Sequence, residues 1–235
     1  GKAYLCGSNR NVINRSENNI TAKVFVTLFN CTEKPEKSLI LLGLEKNSCQ
    51  GFKLELFWKG FRDYAIFNSD CREKFMVEYK KIIPFIRKAV EATKLQVKDS
   101  FYSAEDENKI FNELRNTEID VVIFTDSRIY IGEAKLKEKL GTNGRNILAH
   151  QVIRQRTMVE TLKALTRDPR EISSFIICDQ SKQKSIIRME QIKALGILEG
   201  RAPRVITWQE LLERAKGVQG IKFLKREIDN ILDVV

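Results

Sequence analysis

The chain has 235 residues, 43% hydrophobic and 31% charged, with 41 Lys and Arg against 31 Asp and Glu for a formal charge of +10. These proportions exclude a disordered chain, and no apolar run is long enough to form a spanning helix. A single histidine argues against a multi-histidine metal site or a His-paired nucleophile, and five scattered cysteines without a CxxC argue against a disulfide framework or a zinc site.

Residues 1 to 70 read as a β-rich N-terminal domain or extension. "ITAKVFVTLF", "KSLILLGL", "FKLELFW" and "DYAIF" are short β-prone runs with turn-like sequence between them. From residue 71 to 235 the chain reads as a second domain. "REKFMVEYKKIIPFIRKAVEATK" sets Phe75, Tyr79, Ile82, Ile83, Ile86 and Val90 on one helical face, with Pro84 inside it. "LQVKDSFY" reads as a strand, and Ser103 with Asp106 opens a short helix. Two apolar strand-like runs follow within "EIDVVIFTDSRIYIGEAK", residues 118 to 135. "NILAHQVIRQRTMVETLKAL" is a long helix, "SSFIICD" and "RVIT" are strands, and Thr207 with Glu210 forms a capping box. A last helix carries Ile221, Leu224 and Ile228 on one side.

The basic surplus suits a polyanionic partner, because bound cations release counterions from phosphates. From charge alone, a solvated surplus with no partner reads equally well. The start of the chain lacks the apolar core of a signal peptide, so the expected compartment is the cytoplasm, with reduced thiols and no membrane association.

Residues 118 to 135 carry charges where a hairpin should be plain. Strand side chains alternate, so Asp120 shares a face with Val122 and Phe124, and Glu133 and Lys135 share one with Ile129 and Ile131. If Asp126 and Ser127 form the loop, Phe124 faces Ile129, Val122 faces Ile131 and Asp120 faces Glu133. A three- or five-residue loop would instead make the two acids diagonal. Directly opposed residues have Cβ atoms about 4.5 to 5.5 Å apart, a destabilising distance for two carboxylates unless a cation lies between them. A hard divalent cation with oxygen ligands suits that gap, and Lys135 stands next to it on the same face.

Asp120 and Glu133-Ala134-Lys135, on two consecutive strands, resemble the motif of the PD-(D/E)XK nuclease superfamily. The likeness extends over roughly residues 71 to 180, although Ile119 stands where many members have proline. The resemblance implies an α/β (α+β) restriction-endonuclease-like fold, an αβββαβ core with a mixed sheet flanked by helices. It implies a metal-dependent nuclease, expected to be an endonuclease acting on DNA ahead of RNA. Mg²⁺ or Mn²⁺ would be held by Asp120, Glu133 and the Ala134 carbonyl, with Lys135 placing a water or stabilising charge. Members often add a carboxylate from the first core helix, for which Glu78 is the candidate and Glu107 the fallback. Glu118 reads either as a partner of Lys135 or as a strand-edge charge. Gln151 and Gln155 are candidates for contact with substrate or bound water, and Arg154, Arg156 and Lys137 for contact with phosphates; a polar helix face or solvated loop explains each equally well. His150 reads as structural or exposed. A homodimer is compatible with the resemblance, but no residue specifies one. The alternative is a nucleic-acid-binding module of the same fold that does not cleave.

Overall fold

In the computed structural model, strands β1 (Lys53–Trp58), β2 (Ile119–Phe124), β3 (Arg128–Lys135), β4 (Glu171–Cys178) and β5 (Arg204–Thr207) form one mixed sheet in that order. The structure describes residues 9–30, 32, 34, 36–45, 51–67, 70–93, 104–136, 140, 148, 150–180 and 189–233. β1, β2 and β3 are antiparallel, and β3, β4 and β5 are parallel. The fold is α+β, with helices on both faces of the sheet.

Alternation along the strands assigns the two faces. Val122, Ile129, Ile131, Ile172, Ile176 and Cys178 point to one layer. That layer contains α3 (Gly60–Phe67), α4 (Cys71–Glu91), α5 (Ala104–Arg115), α6 (Gln151–Thr166) and α7 (Met189–Glu199). Val121, Ile123, Tyr130, Ala134, Phe175 and Ile177 point to the other. There they meet α1 (Asn9–Asn30), α2 (Lys37–Leu41), α8 (Trp208–Arg214) and α9 (Ile221–Asp233). At Gly132 a side chain would run into the Phe175 ring, with an added Cβ 2.1 Å from its Cζ. The missing side chain is what lets β4 lie flat against β3.

The N-terminal stretch differs from the β-rich expectation. "ITAKVFVTLF" lies in α1, "KSLILLGL" contains α2 and "DYAIF" ends α3; only "FKLELFW" forms a strand. Ile20, Val24, Phe25, Leu28 and Phe29 are buried at spacings that make one helical face. Burial of that face outweighs the strand preference of the β-branched residues beside it. The break expected at residue 70 does not divide two sheets either, because β1 pairs with β2 from Lys53–Phe124 to Trp58–Ile119. The strand expected over "LQVKDSFY" and the cap at Ser103 lie outside the described residues. Helix α7 was not anticipated in the sequence.

Other expectations hold. In α4, Phe75, Tyr79, Ile83, Ile86 and Val90 are buried, and Pro84 lies inside the helix. Thr207 caps α8 by accepting the Glu210 amide at 3.0 Å, and Ile221, Leu224 and Ile228 of α9 are buried.

One buried ion pair ties α6 to α7. Arg156 donates to Glu199 at 3.0 Å and to Glu160 at 2.5 Å, and Glu199 also accepts the Ser174 amide with both oxygens. The Arg156 and Glu199 side chains are 5% and 0% exposed. Arg156 is thus committed inside the fold, away from any phosphate. Removing Glu199 leaves Glu160 as the remaining carboxylate partner of Arg156 and takes the acceptor from the Ser174 amide. Glu199→Ala is therefore expected to lower the unfolding free energy by about 1–3 kcal/mol, measured by urea denaturation.

Candidate metal and phosphodiester site

The β2–β3 turn sets the register that the site depends on. The Thr125 amide donates to the Arg128 carbonyl at 2.8 Å, and the Arg128 amide returns a bond to Thr125 Oγ1 at 2.9 Å. This closes a two-residue loop over Asp126 and Ser127. Phe124 then pairs with Ile129, Val122 with Ile131 and Val121 with Gly132. Continued by one residue, the register sets Asp120 against Glu133, and Asp120 Oδ2 accepts the Ala134 amide at 2.9 Å. Across from Asp120 on β1, Phe57 adopts φ 52, a left-handed conformation that bulky residues seldom take.

Glu133 is held by three donors. Its Oε1 accepts from Lys135 Nζ at 2.8 Å and also from Gln151 Nε2. Its Oε2 accepts from Gln155 Nε2 at 2.6 Å, and the same Gln155 amide reaches the Glu118 carbonyl at 3.0 Å. The Glu133 side chain is 1% exposed and that of Lys135 10%. The backbone around the pair is pinned as well. The fully buried Trp208 donates Nε1 to the Lys135 carbonyl at 3.1 Å, and Glu17 on α1 accepts the Leu136 amide at 2.5 Å.

The charges act on one another strongly. Burial holds the Asp120 carboxyl well above the usual carboxylate range, and the negative charge of Glu133 pushes it further the same way. Lys135 and the Ala134 amide oppose this, while Glu17 adds to it. Burial alone would lower the Lys135 ammonium, but Glu133, Glu17 and Asp120 together raise it, so Lys135 is a firmly charged cation.

The anticipated residues separate into those the fold gathers and those it does not. Asp120, Glu133, Lys135, Gln151 and Gln155 come together, and both glutamines grip Glu133 itself. Arg154 donates to the Leu148 carbonyl at 2.8 Å, anchoring the approach to α6. Lys137 lies outside the described residues. Glu78 pairs with Lys81 at 2.7 Å on α4, and Glu107 pairs with Lys80 at 2.6 Å. Both are in salt bridges of the α4 and α5 surface, and neither is among the groups whose charge acts on Asp120 or Lys135. Glu118 pairs with Lys59 at 2.9 Å rather than with Lys135. His150 is buried with Nδ1 3.3 Å from Gln191 Nε2, a structural contact.

The helix glutamate whose charge does reach the cluster is Glu17, which sequence reasoning missed. Its signal was available: Glu17 falls on the apolar stripe of α1, one turn before Ile20 and Thr21, and is 3% exposed. An acid on a buried stripe needs a partner, which here includes a backbone amide at the end of β3.

Hard oxygen donors from two strands, mutually repelling and next to a fixed ammonium, are chemically suited to a divalent cation. A bound cation would offset the repulsion that otherwise favours a proton on Asp120. Among the described residues, no three His, Cys, Asp or Glu side chains are gathered into a ready cage. Cavities of about 470 and 490 Å³, lined in part by Thr125, Asp126 and Arg170, lie at the opposite, turn end of the hairpin. Comparison of the chain with known protein families, with curated proteins and with solved structures found no significant match.

A carboxyl raised in the folded state stabilises the fold fully below its unfolded pKa and loses that contribution as pH rises through the folded value. Asp120→Asn keeps an acceptor for the Ala134 amide and removes this loss. In EDTA the variant is expected to melt above the parent protein at neutral pH. The gap should close as pH falls towards the ordinary aspartate pKa of about 3.9, as followed by thermal melts across pH.

Proposed function

We propose that the chain is a Mg²⁺- or Mn²⁺-dependent nuclease that hydrolyses phosphodiester bonds, with DNA the expected substrate. One observation carries this reading. The β2–β3 register sets Asp120 against Glu133, and Lys135 stands two residues beyond on the same face, paired with Glu133 at 2.8 Å. A plain hairpin has no use for two opposed, largely buried acids.

The element order lends support. Setting aside α2 to α5, the chain runs α1, β1, β2, β3, α6, β4, with three antiparallel strands and then a parallel one. That order resembles the αβββαβ core of restriction-endonuclease-like nucleases. The first helix and first strand of such a core would come from α1 and β1, rather than from the residues after 70. The helix carboxylate would then be Glu17 instead of Glu78. The charge of +10 suits a phosphate-rich partner.

In this reading Asp120, Glu133 and the Ala134 carbonyl would hold the cation. When bound, it would polarise the phosphodiester and lower the pKa of an attacking water. Lys135 stabilises negative charge developing on the phosphate or orients the water. Gln155 fixes the Glu133 carboxylate by joining it to the Glu118 carbonyl just before β2. Glu17 and Trp208 hold the end of β3 so that Lys135 keeps its place.

Incubation with plasmid, single-stranded DNA and RNA, in Mn²⁺ or in EDTA, tests the proposal. Cleavage is expected only with metal. Lys135→Ala is expected to reduce the rate by about 10²–10³, and Glu133→Ala by at least as much. Nucleic-acid binding without cleavage in any metal would support the non-cleaving module instead.

A further inference from the structure

An ionised carboxylate offers about four acceptor positions, and three of those on Glu133 are taken by Lys135, Gln151 and Gln155. With 1% of the side chain exposed, the remaining position does not open to solvent. A cation from solution therefore reaches Glu133 only by displacing a donor. The three donors are not equal. Gln155 is 3% exposed and bonded at two places at once, to Glu133 on β3 and to the Glu118 carbonyl just before β2. Gln151, one turn earlier on α6, is only partly buried and bonds the same oxygen as Lys135.

We infer that Gln151 and Lys135 form a cation-displaced latch on Glu133 Oε1, while Gln155 is a positioning residue that holds Oε2 throughout. This inference rests on the metal-site reading above and adds its regulation. Two positive charges cannot share one carboxylate oxygen cheaply in a poorly solvated site. A divalent cation bound at Oε1 would compete for that oxygen with the Lys135 ammonium and the Gln151 amide. The Lys135 ammonium would then be able to turn towards a phosphate. The protein thereby keeps its acids neutralised when metal is absent, and frees its cationic side chain only once metal is present.

The two glutamines should then affect metal binding in opposite directions, which a shared structural role would not produce. Gln151→Ala removes a competitor for Oε1 and is expected to tighten Mn²⁺ binding. Gln155→Ala lets the carboxylate swing and is expected to weaken it. Because a hydrogen bond to a charged group is typically worth about 1.5–3 kcal/mol, each change should be about tenfold or more. The measurement is the Kd of the full chain for Mn²⁺ alone, by calorimetry or by loss of the free Mn²⁺ paramagnetic signal. Melting of each variant in EDTA checks that it is folded. Should Gln155→Ala not fold, the direction of the Gln151→Ala change decides by itself. Weaker or unchanged binding in Gln151→Ala would overturn the latch while leaving the metal site standing. Absence of Mn²⁺ binding by the parent protein, with Mn²⁺ in the millimolar range, would overturn the latch and the proposed function together.

Discussion

Every feature of the site follows from the burial of the Glu133 carboxylate at the end of β3. A buried charge without partners costs several kcal/mol, so the surrounding chain must supply donors, and two elements do. β3 supplies Lys135, and α6 supplies Gln151 and Gln155. The Glu118 carbonyl, just before β2, shares the Gln155 amide. The two glutamine contacts also fix α6 against β3, so the carboxylate acts as an organising point for the sheet and α6. Asp120 faces it across the ladder, and its own burial together with the charge of Glu133 makes it hold its proton more tightly than a solvated aspartate would.

Helices of both layers converge on the same end of the sheet. Alternation sends Glu133 and Lys135 towards α6, while the carbonyl of Lys135 and the amide of Leu136 are bound from the opposite layer by Trp208 and Glu17. Backbone and side chain of one short segment are thus fixed from two sides. Rigid support of this kind favours chemistry that depends on position, because small displacements of charged groups cost large factors in rate. The parallel pairing of β3 with β4 also brings Lys135 level with Cys178, so the site lies at the carboxyl ends of neighbouring parallel strands. In open sheets with parallel strands that edge is where ligands are commonly bound.

The buried ion pair of Arg156 and Glu199 has the same physical basis but a different consequence. Both partners are enclosed, Glu199 also satisfies the Ser174 amide, and the pair joins α6, α7 and β4. It fixes the helix that carries Gln151 and Gln155, so contacts remote from Glu133 help to position the residues that hold it. Arginines on one helix look alike in a sequence. Arg154 bonds the Leu148 carbonyl and Arg156 bonds two carboxylates, and only the packing distinguishes their roles.

Local sequence determined the hairpin and its charges. A strand period of two and a two-residue turn suffice to set Asp120 against Glu133, because both are short-range rules that tertiary contacts did not override. The same holds for the apolar faces of α4 and α9 and for the Thr207 cap. Tertiary structure alone decided what lies far apart in the chain: that β1 completes the sheet beside β2, that β-prone residues 20 to 29 form a helix, and that Glu17 rather than Glu78 approaches the acids. These outcomes depend on which apolar faces can be buried against each other. A long stripe buried on the sheet outweighs a local strand preference of under about 1 kcal/mol per residue. Likewise, the identity of Gln151 and Gln155 could be read from the sequence, but the carboxylate they hold was set only when α6 packed across β3.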